Sequence, residues 1–233
     1  LILKKIDLRD LIAFLKNPIP KEFYEINSIS SFLSLVWKSF LVLMVIDIIA
    51  GILIVLPLKY FSLFPSLKEL KLTPIFILKI TVISPIIEEL IFRLPLRISK
   101  INFVTSLSLI LFLVLNNLCF SNIFLSISFS LVIFLLLCAG IHKEFNFLNR
   151  LALPFTKHFS RFFYFQALVF GFLHLSNYIV DFRYFYLFPF IVISYISKGC
   201  LFGYLRVRYT FGIYLCIASH IVANSIYCLI LSH

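Results

Sequence analysis

Apolar runs of about 20 residues recur along this chain, the length a helix needs to cross a hydrocarbon core of ~30 Å. Seven are predicted as spans, at about 36–58, 73–98, 103–120, 122–141, 160–178, 184–204 and 209–231. The third and fourth are separated only by the uncharged Asn116–Asn122 region and are expected to form a tight helical hairpin. Composition agrees. Of 233 residues, 62% are hydrophobic and 13% charged, with a mean hydropathy of +1.07, whereas a soluble domain is nearer half apolar and a quarter charged. The expected fold is all-α, a polytopic transmembrane bundle of seven spans around an internal polar cavity. No linker or internal repeat divides it, so residues 1–233 read as one membrane-embedded domain.

The net charge of +11 does not indicate nucleic acid, because the basic residues fall in short segments between spans without an accompanying aromatic–basic motif. Lys4, Lys5, Arg9, Lys16 and Lys21 precede the first span; Arg97 and Lys100 follow the second; Lys143, Arg150, Lys157 and Arg161 lie between the fourth and fifth; Arg206 and Arg208 precede the seventh. In a seven-span chain these segments share one side, which places the N-terminus in the cytoplasm. Residues 1–35 read as a cytoplasmic or interfacial segment, amphipathic and without a signal-peptide apolar region. If that segment inserted, the count would be eight. The cysteines, Cys119, Cys138, Cys200, Cys216 and Cys228, are odd in number and form no CxxC pair, so they read as small buried hydrophobes.

Polar residues inside such spans are expensive, and ionisable ones there are a functional-site hypothesis by default. Glu88 and Glu89 sit side by side within PIFILKITVISPIIEELIFRLPL. Neighbours on a helix point about 100° apart, so the two cannot share one role. Glu89 and Arg93 are i,i+4 neighbours and can pair, which leaves Glu88 facing elsewhere. A carboxylate kept from bulk water suits general-base chemistry. His174 follows Phe170 by four residues, and His220 precedes Asn224 by four on one helix face. Asp47 and Lys38, in the first span, read as a pairing group and a snorkelling span-end residue. At 1.5 Å per residue, Glu88, His220 and His174 lie roughly 15, 16 and 20 Å from the cytoplasmic ends of their spans. Polar groups from three helices thus reach similar depth and can line one cavity.

EELIFR, FGFLH and HIVAN resemble, in that order, the motifs EExxxR, FxxxH and HxxxN/D of the CPBP family. These are the CAAX-prenyl-protease-2-like and bacteriocin-processing (Abi) intramembrane proteins. The resemblance covers about residues 72–230, the expected protease core. It implies a cavity open toward the cytoplasm and an intramembrane glutamic endopeptidase that uses no metal or other cofactor. Carried over by position, Glu88 activates the hydrolytic water, His174 holds that water, and His220 with Asn224 stabilises the oxyanion. Glu89, Arg93 and Phe170 complete the motifs, Arg93 positioning the glutamates or meeting a substrate carboxylate. The implied setting is the lipid bilayer of a bacterial plasma membrane, and the implied substrate a membrane-associated or lipid-modified peptide or protein. Three other readings of the same residues stay open. A zinc metallopeptidase would use Glu88, His174 and His220, although no HExxH helix is present. A non-catalytic scaffold or immunity protein has no physical need for mid-membrane charge. A proton-coupled transporter would be expected to show an inverted repeat.

Overall fold

The computed structural model describes residues 7–21, 24–60, 73–97, 99–118, 131–135, 155, 157–179 and 182–231. Most of the predicted 122–141 span, its hairpin, Cys119, Cys138, Lys143 and Arg150 lie outside these residues, as does most of the loop after the first span. Among the described residues the chain is mostly helical, with no strand and an isolated bridge between Tyr24 and Tyr209. Three helices, Ile29–Tyr60, Phe185–Arg208 and Gly212–Ile230, are long and apolar enough to cross a membrane.

The first three helices begin at residues whose side chains cap them. Helix α1 (Leu8–Lys16) starts at Asp7, whose carboxylate accepts from the Arg9 N–H at 2.9 Å. Helix α2 (Ile29–Tyr60) opens on a Ser28/Ser31 capping box and passes through a π turn at Gly51–Val55. Helix α3 comprises Pro74–Leu78, a π turn at Lys79–Ile83 and Ser84–Phe92; Thr73 caps it by accepting from the Phe76 N–H at 3.2 Å. Helix α4 is Lys100–Leu118 and α5 is Phe159–Leu173, the latter giving way to a 3-10 turn at His174–Asn177. Helices α6 (Phe188–Arg208) and α7 (Gly212–Leu231) complete the bundle.

Several predicted spans take a different form. Residues 74–92 carry Lys79, Glu88 and Glu89 and are broken by the π turn. The α-helical part of 160–178 stops at Leu173, so α5 has 15 residues and rises roughly 22 Å, short of a hydrocarbon core. Polar residues at its end, His174, Ser176 and Asn177, take up backbone and ring contacts instead of continuing the helix. The predicted 184–204 helix runs four residues further, to Arg208.

Helices α5 and α6 form the closest pair, and glycine makes it possible. A Cβ on Gly199 would lie 3.2 Å from the Ala167 Cα, and one on Gly203 would lie 2.5 Å from the Phe163 ring. With Gly171 against Ile196, the contacts run in opposite directions along the two helices, so the pair is antiparallel and its backbones approach as small-xxx-small surfaces allow. Helix α7 packs on α2, α6 and α3, and α3 on α4. The main core gathers Phe14, Leu43, Phe163, Phe202, Tyr204, Leu205 and Leu215.

One end of the bundle is tied together through arginines. Arg206 donates to the Arg93 and Leu94 carbonyls at the end of α3, at 3.1 and 3.4 Å. Arg97 returns the contact, donating to the carbonyls of Arg206 and Thr210 at 3.0 Å each and to that of Tyr209. Each thereby serves carbonyls that a helix end leaves without an intrahelical donor. Helix α1 docks beside them: Phe14 packs edge-on to Phe163 and Tyr204, and Asp10 accepts from the Tyr204 hydroxyl at 2.9 Å and from Arg208 at 3.2 Å. The segment after α1 continues the attachment, with the Tyr24 N–H on the Arg208 carbonyl and the Thr210 N–H on that of Tyr24.

Candidate functional site

Glu88 and Glu89 diverge in the structure as in the helical-wheel argument. Glu89 is fully buried and faces Arg93, Nε to Oε2 at 3.3 Å, with the arginine side chain 1% exposed. That contact is one of charge, since neither atom has a hydrogen-bond partner among the described residues. The guanidinium lies 4.4 Å from the centre of the Phe170 ring, a cation–π contact that shields it further. The other Glu89 oxygen, Oε1, takes His220 Nδ1 at 2.9 Å. Arg93, Glu89 and His220 thus form a buried chain across α3 and α7.

Glu88 has a 30% exposed side chain and points to the histidines instead. Its Oε2 lies 4.0 Å from His174 Nε2 and 3.9 Å from His220 Nε2, and it has no hydrogen-bond partner among the described residues. The tautomers follow from the other ring nitrogens. His174 Nδ1 is 2.7 Å from the Phe170 carbonyl, which can only accept, so Nδ1 carries the proton. That carbonyl is available because the His174 backbone N–H turns to Gly171 at the end of α5. His220 Nδ1 likewise donates to the Glu89 carboxylate. In their neutral forms both imidazoles therefore aim an Nε2 lone pair at the Glu88 oxygen. Three acceptors facing one another repel unless a donor lies between them. Groups about 4 Å apart are spaced for one water at ~2.8 Å from each.

Phe170 sits at the centre of this arrangement. Its ring is 4.7 Å from that of His174 and 6.3 Å from that of His220, and it meets Phe92 edge-on at 5.6 Å. Helix α6 covers the other faces: Tyr195 stacks on His174 at 4.2 Å and Phe202 on His220 at 5.1 Å.

Asn224 stands apart from this convergence. Its amide donates to the Ile80 carbonyl at 2.9 Å, and no described contact joins it to Glu88 or to either histidine. The reason lies in α3. In the π turn the Ser84 N–H bonds to the Lys79 carbonyl, so Ile80 would look to residue 85 for its donor. Residue 85 is proline and has none. Asn224 satisfies that carbonyl from α7, two turns before Glu88, leaving its second amide hydrogen for another acceptor.

A second polar group lies behind Tyr195. Lys198 on α6 pairs with Asp47 on α2 at 2.7 Å, and the Tyr227 hydroxyl on α7 donates to the same carboxylate. Lys198 Nζ is 5.1 Å from the Tyr195 ring centre and 5.2 Å from that of Tyr227. Asp47 is therefore the pairing group expected of it. Tyr195, Phe202, Lys198 and Pro85 carry no motif; a proline three residues before Glu88 inside a helix is the one local signal among them.

Among the described residues no group of three or more His, Cys, Asp and Glu side chains has the arrangement to hold a metal ion. No family model, curated protein or solved structure matches the chain.

Proposed function

We propose that the chain is an intramembrane glutamic endopeptidase that cuts a membrane-associated or lipid-modified peptide. The observation that carries this reading is the approach of two histidine Nε2 atoms, each with its Nδ1 tied elsewhere, to a Glu88 oxygen that has no hydrogen-bond partner among the described residues. A water held there donates one hydrogen to Glu88 and one to His174, which turns a lone pair outward for attack. Glu88 then takes the proton as general base. In this scheme His220, once it carries a proton on Nε2, donates to the developing oxyanion; a preorganised donor of this kind is worth about 2.7–4 kcal/mol of barrier. The remaining amide hydrogen of Asn224 is the second donor in this scheme. Phe170 and Arg93 hold the chain of contacts behind it.

The wider reading is a bundle of seven spans, with the arginine-tied end and α1 on the cytoplasmic side and the site reached from there. The resemblance of EELIFR, FGFLH and HIVAN to CPBP motifs supports it, and so does the gathering of basic residues at that end. One alternative, a zinc peptidase, would use the same two Nε2 atoms and Glu88; the Nδ1–H tautomers are what a metal-binding histidine pair presents, but the three side chains do not stand in a metal-holding arrangement.

The test is cleavage of a membrane-presented peptide library by purified protein, with and without a strong chelator. Chelator-resistant cleavage that is lost in Glu88→Gln is expected. Cleavage abolished by chelator and restored by zinc establishes the alternative.

A further inference from the structure

Two imidazoles have to be held so that both Nε2 atoms address one carboxylate oxygen, and hydrogen bonds at Nδ1 do only half of this. With Nδ1 held by a single hydrogen bond to the Phe170 carbonyl or to Glu89, each ring can still turn about its Cβ–Cγ bond, which breaks that hydrogen bond, releases the Nδ1–H tautomer and carries Nε2 sideways. Contact against the flat face of the ring removes that freedom. For both histidines the stacked contact comes from the same helix, α6: Tyr195 with an interplanar angle of 22° and Phe202 with one of 24°.

Residues seven apart return to the same helix face within about 20° and stand about 10 Å apart along the axis. Tyr195 and Phe202 therefore form one strip, and the histidines lean inward from its two ends toward Glu88. The strip is itself fixed. The Tyr195 hydroxyl engages the side chains of Asn177 and Tyr178, just past His174. Lys198, anchored by Asp47, lies by its ring. Phe202 is 1% exposed in the main core. Gly171, Gly199 and Gly203 bring α6 close enough to α5 for the Tyr195 ring to meet a histidine at the end of α5.

We propose that Tyr195 and Phe202 are positioning residues, a two-point aromatic platform on α6 that holds His174 and His220 with both Nε2 atoms toward Glu88. The inference rests on the peptidase reading for its kinetic readout alone. The experiment uses full-length protein in lipid nanodiscs, labelled with 15N at its five histidines, with the two signals assigned through His174→Gln and His220→Gln. Tyr195→Leu is expected to remove the single Nδ1–H form of His174 and spare that of His220. Phe202→Leu is expected to do the reverse. Phe202→Met, flexible and close in volume, is measured beside it as a variant that the buried site accommodates. In cleavage assays each is expected to lower kcat about 10- to 100-fold, the scale of a misplacement near 1 Å. KM is expected to change by less than about twofold, and Tyr195→Phe, which keeps the stacked ring, to restore most of kcat. Unchanged tautomers of both histidines in the folded variants would overturn the platform whatever the kinetics. The expected tautomer changes in the variants of a protein that in its wild-type form cleaves nothing would uphold the platform and overturn the peptidase reading instead.

Discussion

Replacing Glu89 with glutamine separates the two adjacent glutamates by consequence. The substitution keeps the volume and an oxygen for His220 Nδ1, so its effect falls on Arg93, whose side chain is 1% exposed. Removing one partner of a buried ion pair costs about 3–5 kcal/mol, because the other charge is left uncompensated. The Phe170 ring at 4.4 Å remains beneath the guanidinium and returns up to about 2 kcal/mol of attraction when desolvated, which was present before and does not grow. The expected loss is therefore about 3 kcal/mol or more. By the scaling for chains of this length, it lowers the midpoint of thermal unfolding by roughly 6 °C or more. Glu88 is 30% exposed and its buried oxygen accepts no hydrogen bond among the described residues, so Glu88→Gln is expected to change stability by less than about 1 kcal/mol. The assay is thermal unfolding of both variants and wild type in one detergent. Adding Arg93→Met to Glu89→Gln is expected to recover much of the loss, since the stranded charge is gone. Equal destabilisation by the two glutamine variants, or no recovery in the double variant, would refute the reasoning.

Other expectations follow from the helix contacts. Asn224→Leu orphans the Ile80 carbonyl and is expected to cost about 1–3 kcal/mol; the cost should shrink in a Pro85→Ala background, where α3 regains an N–H, and thermal unfolding of the four proteins reads the coupling. Lys198→Met strands Asp47 and is expected to destabilise by about 3 kcal/mol, with Asp47→Leu added to it restoring most of the stability. A double-mutant cycle in the same assay measures the pair.

How much of this was legible in the sequence depends on whether a contact is local. The split between Glu88 and Glu89, and the pairing of Glu89 with Arg93, came from helix geometry alone, and the structure shows that pair. So did the shared face of His220 and Asn224: both reach α3, the first at Glu89 and the second at Ile80. Depth arithmetic brought Glu88, His174 and His220 together, as the structure does. Spacing could not reveal what Asn224 touches, because the orphaned Ile80 carbonyl exists only through the π turn and Pro85. Tyr195 and Phe202 were invisible for a different reason. An aromatic in an apolar helix reads the same whether it faces lipid or a histidine, and only the α5–α6 approach decides. Arg97, Arg206 and Arg208 read as charges marking the cytoplasmic side. In the structure they hold carbonyls and Asp10, contacts made across more than 100 residues of chain. The end of α5 at Leu173 was also missed, since its polar residues find partners only once the helices are assembled.

The central claim is that Glu88 removes a proton from water, and it is tested most directly by single-turnover cleavage of an identified membrane-presented peptide in 18O-labelled water by wild type and by Glu88→Gln. The expected result is one 18O in the new C-terminal carboxylate with wild type, and a loss of rate of about 100-fold or more with the variant while its thermal unfolding stays unchanged. Cleavage by folded Glu88→Gln at the wild-type rate would contradict the account.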